Sequence, residues 1–183
     1  MTLRSVRLVR LAALALLVVG FGPARAQDLN IKTFHGTFSG SGVAKSDDSL
    51  YFAVSVRDVD VEIRPTPDGF RLAWTTVVRQ GGDPAQPKAR KRASEEYFTA
   101  TARPNFFAGK DNGDPLAGKT VAWATIRRNT LTAYFMTVED DGAYDVQSYA
   151  RTLTGEGMDL VYARVKGGEK SRTVKAKLTR QSN

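Results

Sequence analysis

The sequence predicts an all-β protein that forms a single antiparallel up-and-down barrel of about ten strands. From Phe34 onward, apolar and polar residues alternate with a period of two in segments rich in Val, Thr and aromatic residues, a pattern typical of half-buried strands. Short turn sequences separate these segments, and tight turns pair sequential strands antiparallel. No segment shows a long helical period. Because a twisted sheet of ten strands hides its edges by closing, a barrel is favoured over a two-sheet sandwich.

The alternation also predicts which side chains point inward. Val59, Val61 and Ile63 alternate with charged residues, and a second apolar row runs from Leu50 to Val56. The predicted barrel is therefore apolar inside and polar outside. The predicted strands are 36–45, 50–57, 59–65, 69–80, 90–102, 120–127, 130–139, 144–154, 157–166 and 171–180.

Two longer segments lack this alternation and are predicted as loops. They span 80–89 and 104–119 and are rich in Gly, Pro, Asp and Asn. Loops of this length in a compact domain are commonly functional. Phe106 and Phe107 form an apolar pair in the second loop, and this pair could cap one end of the barrel.

The N-terminus has the three parts of a secretory signal peptide. Three arginines and no acid precede an apolar run over 11–21, and Ala24-Arg25-Ala26 follows as an A-x-A cleavage site. The run is short for a membrane span, which needs about 20 apolar residues. We expect a Sec-type signal peptide over 1–26 that is cleaved after Ala26, and a β-barrel domain over 27–183. The expected location is the periplasm or the exterior, with no membrane-spanning segment after cleavage.

Composition narrows the classes of function. The leader holds four of the 27 basic residues and none of the 19 acidic ones, so the net charge of +8 falls to about +4 after cleavage. A nucleic-acid-binding protein is usually more basic and more clustered in charge, so we expect no nucleic-acid partner. The chain has no cysteine, which excludes disulfides, thiolate catalysis and a lipid on a first mature cysteine.

Both ends of the domain resemble a known barrel family. Gly36-Thr37-Phe38-Ser39-Gly40-Ser41-Gly42 is similar to the G-x-W-x-G-x-G start of the nitrobindin family of ten-stranded haem barrels, and more loosely to lipocalin-like and other calycin barrels. The run from Tyr149 to Arg180 is similar in layout to the last three strands of that family. The resemblance implies a calycin-like barrel. The family holds haem through a histidine on the last strand, where this chain has Val174 and Lys175, so we expect no haem and no other cofactor.

The residues that catalysis or metal binding would need are sparse. His35 is the single histidine, and no G-x-S-x-G motif accompanies it, so a Ser-His-acid triad is not expected. Acidic clusters at 47–48, 111–114 and 139–141 fall at predicted turns and lack the spacing of a calcium loop. We therefore predict neither an enzyme nor a metal site.

Aromatic and basic residues give the candidate binding sites. Large rings in the middle of predicted strands either fill a barrel or line a cavity, and ten strands enclose more space than side chains readily fill. Arg151 would be a buried cation for a carboxylate or phosphate head group. The cluster Lys88, Arg90, Lys91 and Arg92 could attract an anionic envelope component, or it could be a solvated edge that discourages aggregation. The predicted cavity residues are Trp74, Phe98, Trp123, Phe135, Tyr149 and Arg151.

Two functions follow from these sequence features. The first is a periplasmic or secreted calycin-like barrel that binds a small hydrophobic or amphipathic, lipid-like molecule in its cavity. The second is a non-catalytic structural or interaction protein of the cell envelope whose barrel is filled by side chains. A ligand that copurifies with the protein would distinguish the first from the second.

Overall fold

The computed structural model describes residues 27–46, 55–79 and 89–182 and contains a closed antiparallel barrel of ten strands. Each strand pairs with its neighbours in the chain, and the first strand pairs with the last to close the sheet. The strands are β1 (Gly36–Ser46), β2 (Ser55–Thr66), β3 (Gly69–Arg79), β4 (Ala89–Ala100), β5 (Phe106–Gly109), β6 (Val121–Arg127), β7 (Thr130–Val138), β8 (Tyr144–Leu153), β9 (Gly157–Lys166) and β10 (Glu169–Arg180). Two short 3₁₀ helices are η1 (Ile31–Phe34) and η2 (Pro115–Ala117).

The predicted fold class is confirmed, although two strands differ from the prediction. The predicted strands 50–57 and 59–65 are one strand from residue 55 onward, because β2 pairs with β3 without a break; residues 50–54 lie outside the described chain. The missing strand is β5, which lies in the segment predicted as a loop. Phe106 and Phe107 therefore bridge β4 to β6 in the barrel wall and do not form a capping loop.

Two glycines allow the seam between β1 and β10 to close. A Cβ atom on Gly40 would overlap the carbonyl oxygen of Lys177, and one on Gly42 would lie 2.5 Å from the Cβ of Ala176. Strands approach this closely only where one of them carries no side chain. The glycine pattern of the first strand therefore serves barrel closure.

A dense apolar core fills the end of the barrel at which β1 begins. Phe70 stacks on Phe98 with ring centroids 5.0 Å apart and meets the edge of Phe107 at 5.1 Å. Phe34, the last residue of η1, is fully buried in the same core. The other buried members of this part of the core are Phe38, Ile63, Leu72, Ala124, Ile126, Leu131, Ala133, Met158 and Leu178. We call this half of the barrel, lined by these residues, the closed half.

The N-terminal segment seals the closed half. The Asp28 carboxylate accepts a 2.6 Å hydrogen bond from the backbone N–H of Arg128, in the turn between β6 and β7. Arg180 donates to the backbone carbonyls of His35 and Thr33. Its guanidinium lies 4.5 Å from the centre of the Phe38 ring. These contacts hold η1 across the barrel end as a plug.

No helix within the described part of the chain has the length and apolar character to cross a membrane. The predicted signal peptide, residues 1–26, lies outside the described residues.

Candidate functional site

The opposite half of the barrel encloses a cavity of about 660 Å³. Side chains alternate along each strand, so residues that share the parity of the buried core continue inward toward this end. On β2 that parity runs from Ile63 through Val61 and Val59 to Arg57. The inward face thus changes from apolar to cationic along one strand. We call this half, from Trp74 to the arginines at its mouth, the cavity half.

Aromatic rings form the middle layer of the cavity. Trp74 lies 5.3 Å from Tyr149 and 5.7 Å from Phe135, measured between ring centroids, and Tyr149 lies 4.8 Å from Tyr162. Both tyrosine hydroxyls are within hydrogen-bond distance of the Gln147 Oε1 atom. Burial raises the pKa of Tyr149 to about 12, so this hydroxyl stays protonated at neutral pH. The layer therefore offers flat apolar surfaces with a few polar groups.

Arg151 lies at the base of this layer and is completely buried, with 0% of its surface exposed. Its Nη1 donates to the Tyr149 carbonyl at 3.3 Å, whereas Nε and Nη2 have no partner among the described residues. Its guanidinium lies 5.4 Å from the Tyr149 ring centre and 5.9 Å from that of Trp74. Burial lowers the pKa of Arg151 to about 10, so the residue keeps its charge at pH 7. A buried cation with free donors is a site for an anion.

Further arginines surround the mouth of the cavity. Arg57, Arg92 and Arg172 point inward from β2, β4 and β10 and belong to the cavity lining. Burial lowers the pKa of Arg57, and repulsion from Arg172 and from Arg92 lowers it further. Its buried Nε has no partner within the described chain. These three residues, which we call the rim trio, therefore concentrate positive charge at one place.

The Asp145 carboxylate balances part of this charge in the wall of the cavity. Asp145 is buried at the start of β8, and the Arg164 Nε donates to both of its oxygens at 3.0 Å. These hydrogen bonds raise the pKa of Arg164. Arg164 thus has its own ion-pair partner within the cavity wall. The cavity keeps a strong positive charge.

The structure brings four of the six predicted cavity residues together. Trp74, Tyr149 and Arg151 line the cavity, and Phe135 packs against the first two. Phe98 instead lies in the closed half, stacked on Phe70. Trp123 lies on the outer surface because β6 turns Ala122, Ala124 and Ile126 inward, and it stacks on Tyr134 at 5.0 Å.

The predicted basic cluster is divided by the strand geometry of β4. All three of its described residues are exposed, but Arg90 and Arg92 line the mouth of the cavity, while Lys91 between them belongs to the outer face. Lys88 lies outside the described residues. The cluster is thus two inward cations and one outward cation, and not a single surface patch.

Three cavity arginines, Arg57, Arg164 and Arg172, were not predicted from the sequence as site residues. The signal was present, because Arg57 shares the parity of the apolar row at Val59, and Arg172 shares that of Val174. In contrast, Val56, which the prediction placed in an apolar row, is 48% exposed on the outer face. That assignment was wrong by one residue, and a shift of one residue exchanges the two faces of a strand.

His35, the single histidine, follows η1 at the plug and does not belong to the lining of this cavity. Its Nε2 is buried without a partner among the described residues. Burial lowers the pKa of His35, and the charge of Lys32 lowers it further. The imidazole is therefore neutral near pH 7 and belongs to the seal of the closed half.

Comparisons with known proteins find a likeness in structure. No family model matches the chain, and no curated protein matches it. The chain is similar to the S-type phycobiliprotein lyase CPES from Guillardia theta, with 9% sequence identity and a TM-score of 0.37. The alignment covers 84% of this chain and 91% of that structure. The architecture found here, a closed antiparallel barrel of ten strands, is the one that a calycin-like fold implies.

Proposed function

We propose that this protein binds a small amphipathic molecule with an anionic group in the cavity half of its barrel. The observation that carries the proposal is Arg151, a buried cation with two free donor atoms at the base of a cavity of about 660 Å³. Leaving a charge buried and unpaired costs several kcal/mol, and an anionic ligand would remove that cost. The volume lies in the range of small-molecule sites, about 300–1,000 Å³.

The lining supports an amphipathic ligand. Val59, Val61 and Leu160 offer aliphatic surface, and Trp74 and Tyr149 offer flat rings for an apolar body. The charged side chains of the lining are all arginines, whose guanidinium groups match carboxylate and phosphate oxygens. A lipid-like acid fits this combination.

The proposed role is that of a carrier outside the cytoplasm. The predicted signal peptide supports export to the periplasm or the exterior, and the cationic mouth supports capture of an anionic component of the cell envelope. We propose binding without turnover. The alternative of a completely filled barrel describes the closed half well, whereas the cavity half favours a ligand.

Two tryptophans allow a direct test. Trp74 lines the cavity and Trp123 lies outside it, so the two are a matched pair of reporters. Titration of residues 27–183 with dodecanoic acid should change tryptophan fluorescence in the wild type and in Trp123→Phe, but not in Trp74→Phe. The acid should be recovered chemically unchanged.

Native mass spectrometry of residues 27–183 purified from a bacterial periplasm gives an independent readout. We expect an added mass that organic extraction removes. Arg151→Met should weaken binding of dodecanoic acid about tenfold, because a hydrogen bond to a charged group contributes about 1.5–3 kcal/mol. A bare polypeptide mass together with unchanged fluorescence would leave the filled, partner-binding barrel as the better account.

A further inference from the structure

The cations of the cavity stand at two separate levels. Arg151 is the cross-strand partner of Leu160 on β9, and Arg164 lies four residues nearer the mouth on the same strand. At a rise of about 3.3 Å per residue, these two positions are about 13 Å apart along the strand. Arg172 pairs directly with Arg164 and so stands at the upper level.

The rim trio completes the upper level. Arg57 is the third residue of β2, and Arg92 is the fourth of β4, so both stand where their strands leave the mouth. The Arg57 Nε is buried without a partner among the residues that the structure describes. Arg92 is exposed, as an arginine that attracts ligands from solution would be, whereas Arg57 and Arg172 are partly buried. A buried, partnerless donor instead points to a bound group at this level.

Apolar and aromatic surface separates the two levels. Val59 and Val61 lie between Arg57 and the base on β2. Trp74 on β3 is the cross-strand partner of Val61, and Tyr149 on β8 packs against the Trp74 ring. Asp145 binds Arg164 at the rim and makes no hydrogen bond to Arg151 at the base. The cavity is therefore cationic at both ends and apolar in the middle.

We propose that the ligand carries two anionic groups, one at each end of an apolar body, with one anion at Arg151 and the other at the rim trio. This inference rests on the proposed function and specifies its ligand class. An apolar acid with one anion would leave one cationic level without a counter-charge. A two-ended acid would neutralise both levels and would cover the aromatic layer between them.

The test compares two acids of matched length. Dodecanoic acid has one carboxylate, and dodecanedioic acid has one at each end. For the wild type we expect the diacid to bind about tenfold more tightly, because it adds charge-assisted hydrogen bonds at the rim. In a series of diacids, affinity should peak at a carboxylate spacing of about 13 Å, the separation of the two levels.

Paired variants assign each anion to its level. Arg57→Gln with Arg172→Gln should abolish the advantage of the diacid, so that this variant binds the two acids with equal affinity. The matched control is Lys175→Gln with Lys177→Gln, which removes the same charge from exposed, outward positions of β10. This control should keep the advantage. Arg151→Met should weaken both acids.

The outcomes separate this inference from the proposed function. Equal affinities for monoacid and diacid in the wild type would overturn the two-ended ligand and leave the proposed function standing. The two-ended ligand is also overturned if the Arg57 and Arg172 variant loses the monoacid as severely as the diacid, because the single anion would then bind at the rim. Binding of neither acid would overturn both.

Discussion

The closed half and the cavity half of this barrel are built from the same ten strands, yet their interiors have opposite chemistry. In the closed half, the inward side chains are aromatic and aliphatic, and Phe70 contacts both Phe98 and Phe107. In the cavity half, the same strands turn arginines inward around about 660 Å³ of space. The barrel thus places stability at one end and binding at the other, since dense packing and an open site cannot occupy the same volume.

The boundary between the halves lies at Arg151. Its neighbours toward the closed end are core residues, and its neighbours toward the mouth are Tyr149 and Trp74. Burying the Arg151 charge lowers the stability of the fold. The apolar packing of the closed half offsets this loss. Four sets of substitutions test whether stability and binding are divided between the closed half and the cavity half.

Leucine truncation should separate the halves most clearly. Leu72 is fully buried in the closed half, and Leu160 lines the cavity. Leu→Ala changes in cores cost about 2–5 kcal/mol, depending on the void left behind. We expect Leu72→Ala near the upper end of that range and Leu160→Ala near the lower end, because the latter widens an existing cavity. Urea denaturation measures both, and equal losses would contradict the division.

Removing the buried charge should stabilise the protein without ligand. Arg151→Met keeps much of the side-chain volume and removes a desolvated cation. Replacing buried ionic groups by apolar residues of similar size often adds about 1–4 kcal/mol. We expect a higher free energy of unfolding for the ligand-free variant, together with the weaker acid binding described above. A large loss of stability would show that Arg151 is a structural residue.

Removing the ion pair between Asp145 and Arg164 should lower the stability of the protein and raise its affinity for anions. Asp145→Asn removes the negative charge and one of the two oxygens that accept three hydrogen bonds from Arg164, and we expect a loss of about 1–3 kcal/mol. The freed Arg164 should strengthen binding of dodecanedioic acid at low salt, and added salt should reduce this gain. Calorimetric titration at two salt concentrations measures it. Unchanged affinity at low salt would place Arg164 outside the site.

His35 should give the smallest effect, which depends on pH. Because its pKa is lowered in the folded state from 6.5, the unfolded chain binds the proton more tightly. Stability is therefore full above pH 6.5 and declines as the pH falls toward the folded pKa. We expect His35→Gln to remove this decline without changing acid binding. Denaturation curves between pH 8 and pH 5 test it, and identical pH profiles would count against a neutral, buried imidazole.

The sequence predicted the barrel because alternation persists over most strands. It missed β5 because a strand of four residues is too short to show alternation. Asn105, which has a positive φ, directly precedes β5, and the surrounding Pro- and Gly-rich segment is typical of a loop. Two predicted strands near residue 57 were one, so the expected total of ten was reached through compensating errors. The structure was needed to show where the individual strands begin and end.

The sequence predicted only part of the site, because the alternation of side chains shows which face points inward on some strands and not on others. Arg151 stands between Tyr149 and Leu153 on one face of β8 and was therefore recognisable. Trp123 was misplaced because Ala122 and Ala124 are also apolar, so neither face of β6 is polar enough to mark the outside. Arg57, Arg164 and Arg172 were missed because charged residues near strand ends are usually solvated. That these side chains point inward becomes clear only when the alternation of the buried core residues is continued along each strand to the mouth.

The plug also determines at which end of the barrel a fusion partner or a surface can be attached. The segment from residue 27 and the last residues of β10 meet at the closed half, where Arg180 binds the carbonyls of Thr33 and His35. Both ends of the described chain thus leave the barrel on the side away from the mouth. A fluorescent partner fused at either end, or a sensor chip coupled there, would leave the entrance facing solution, so surface-immobilised protein should bind acids as readily as free protein.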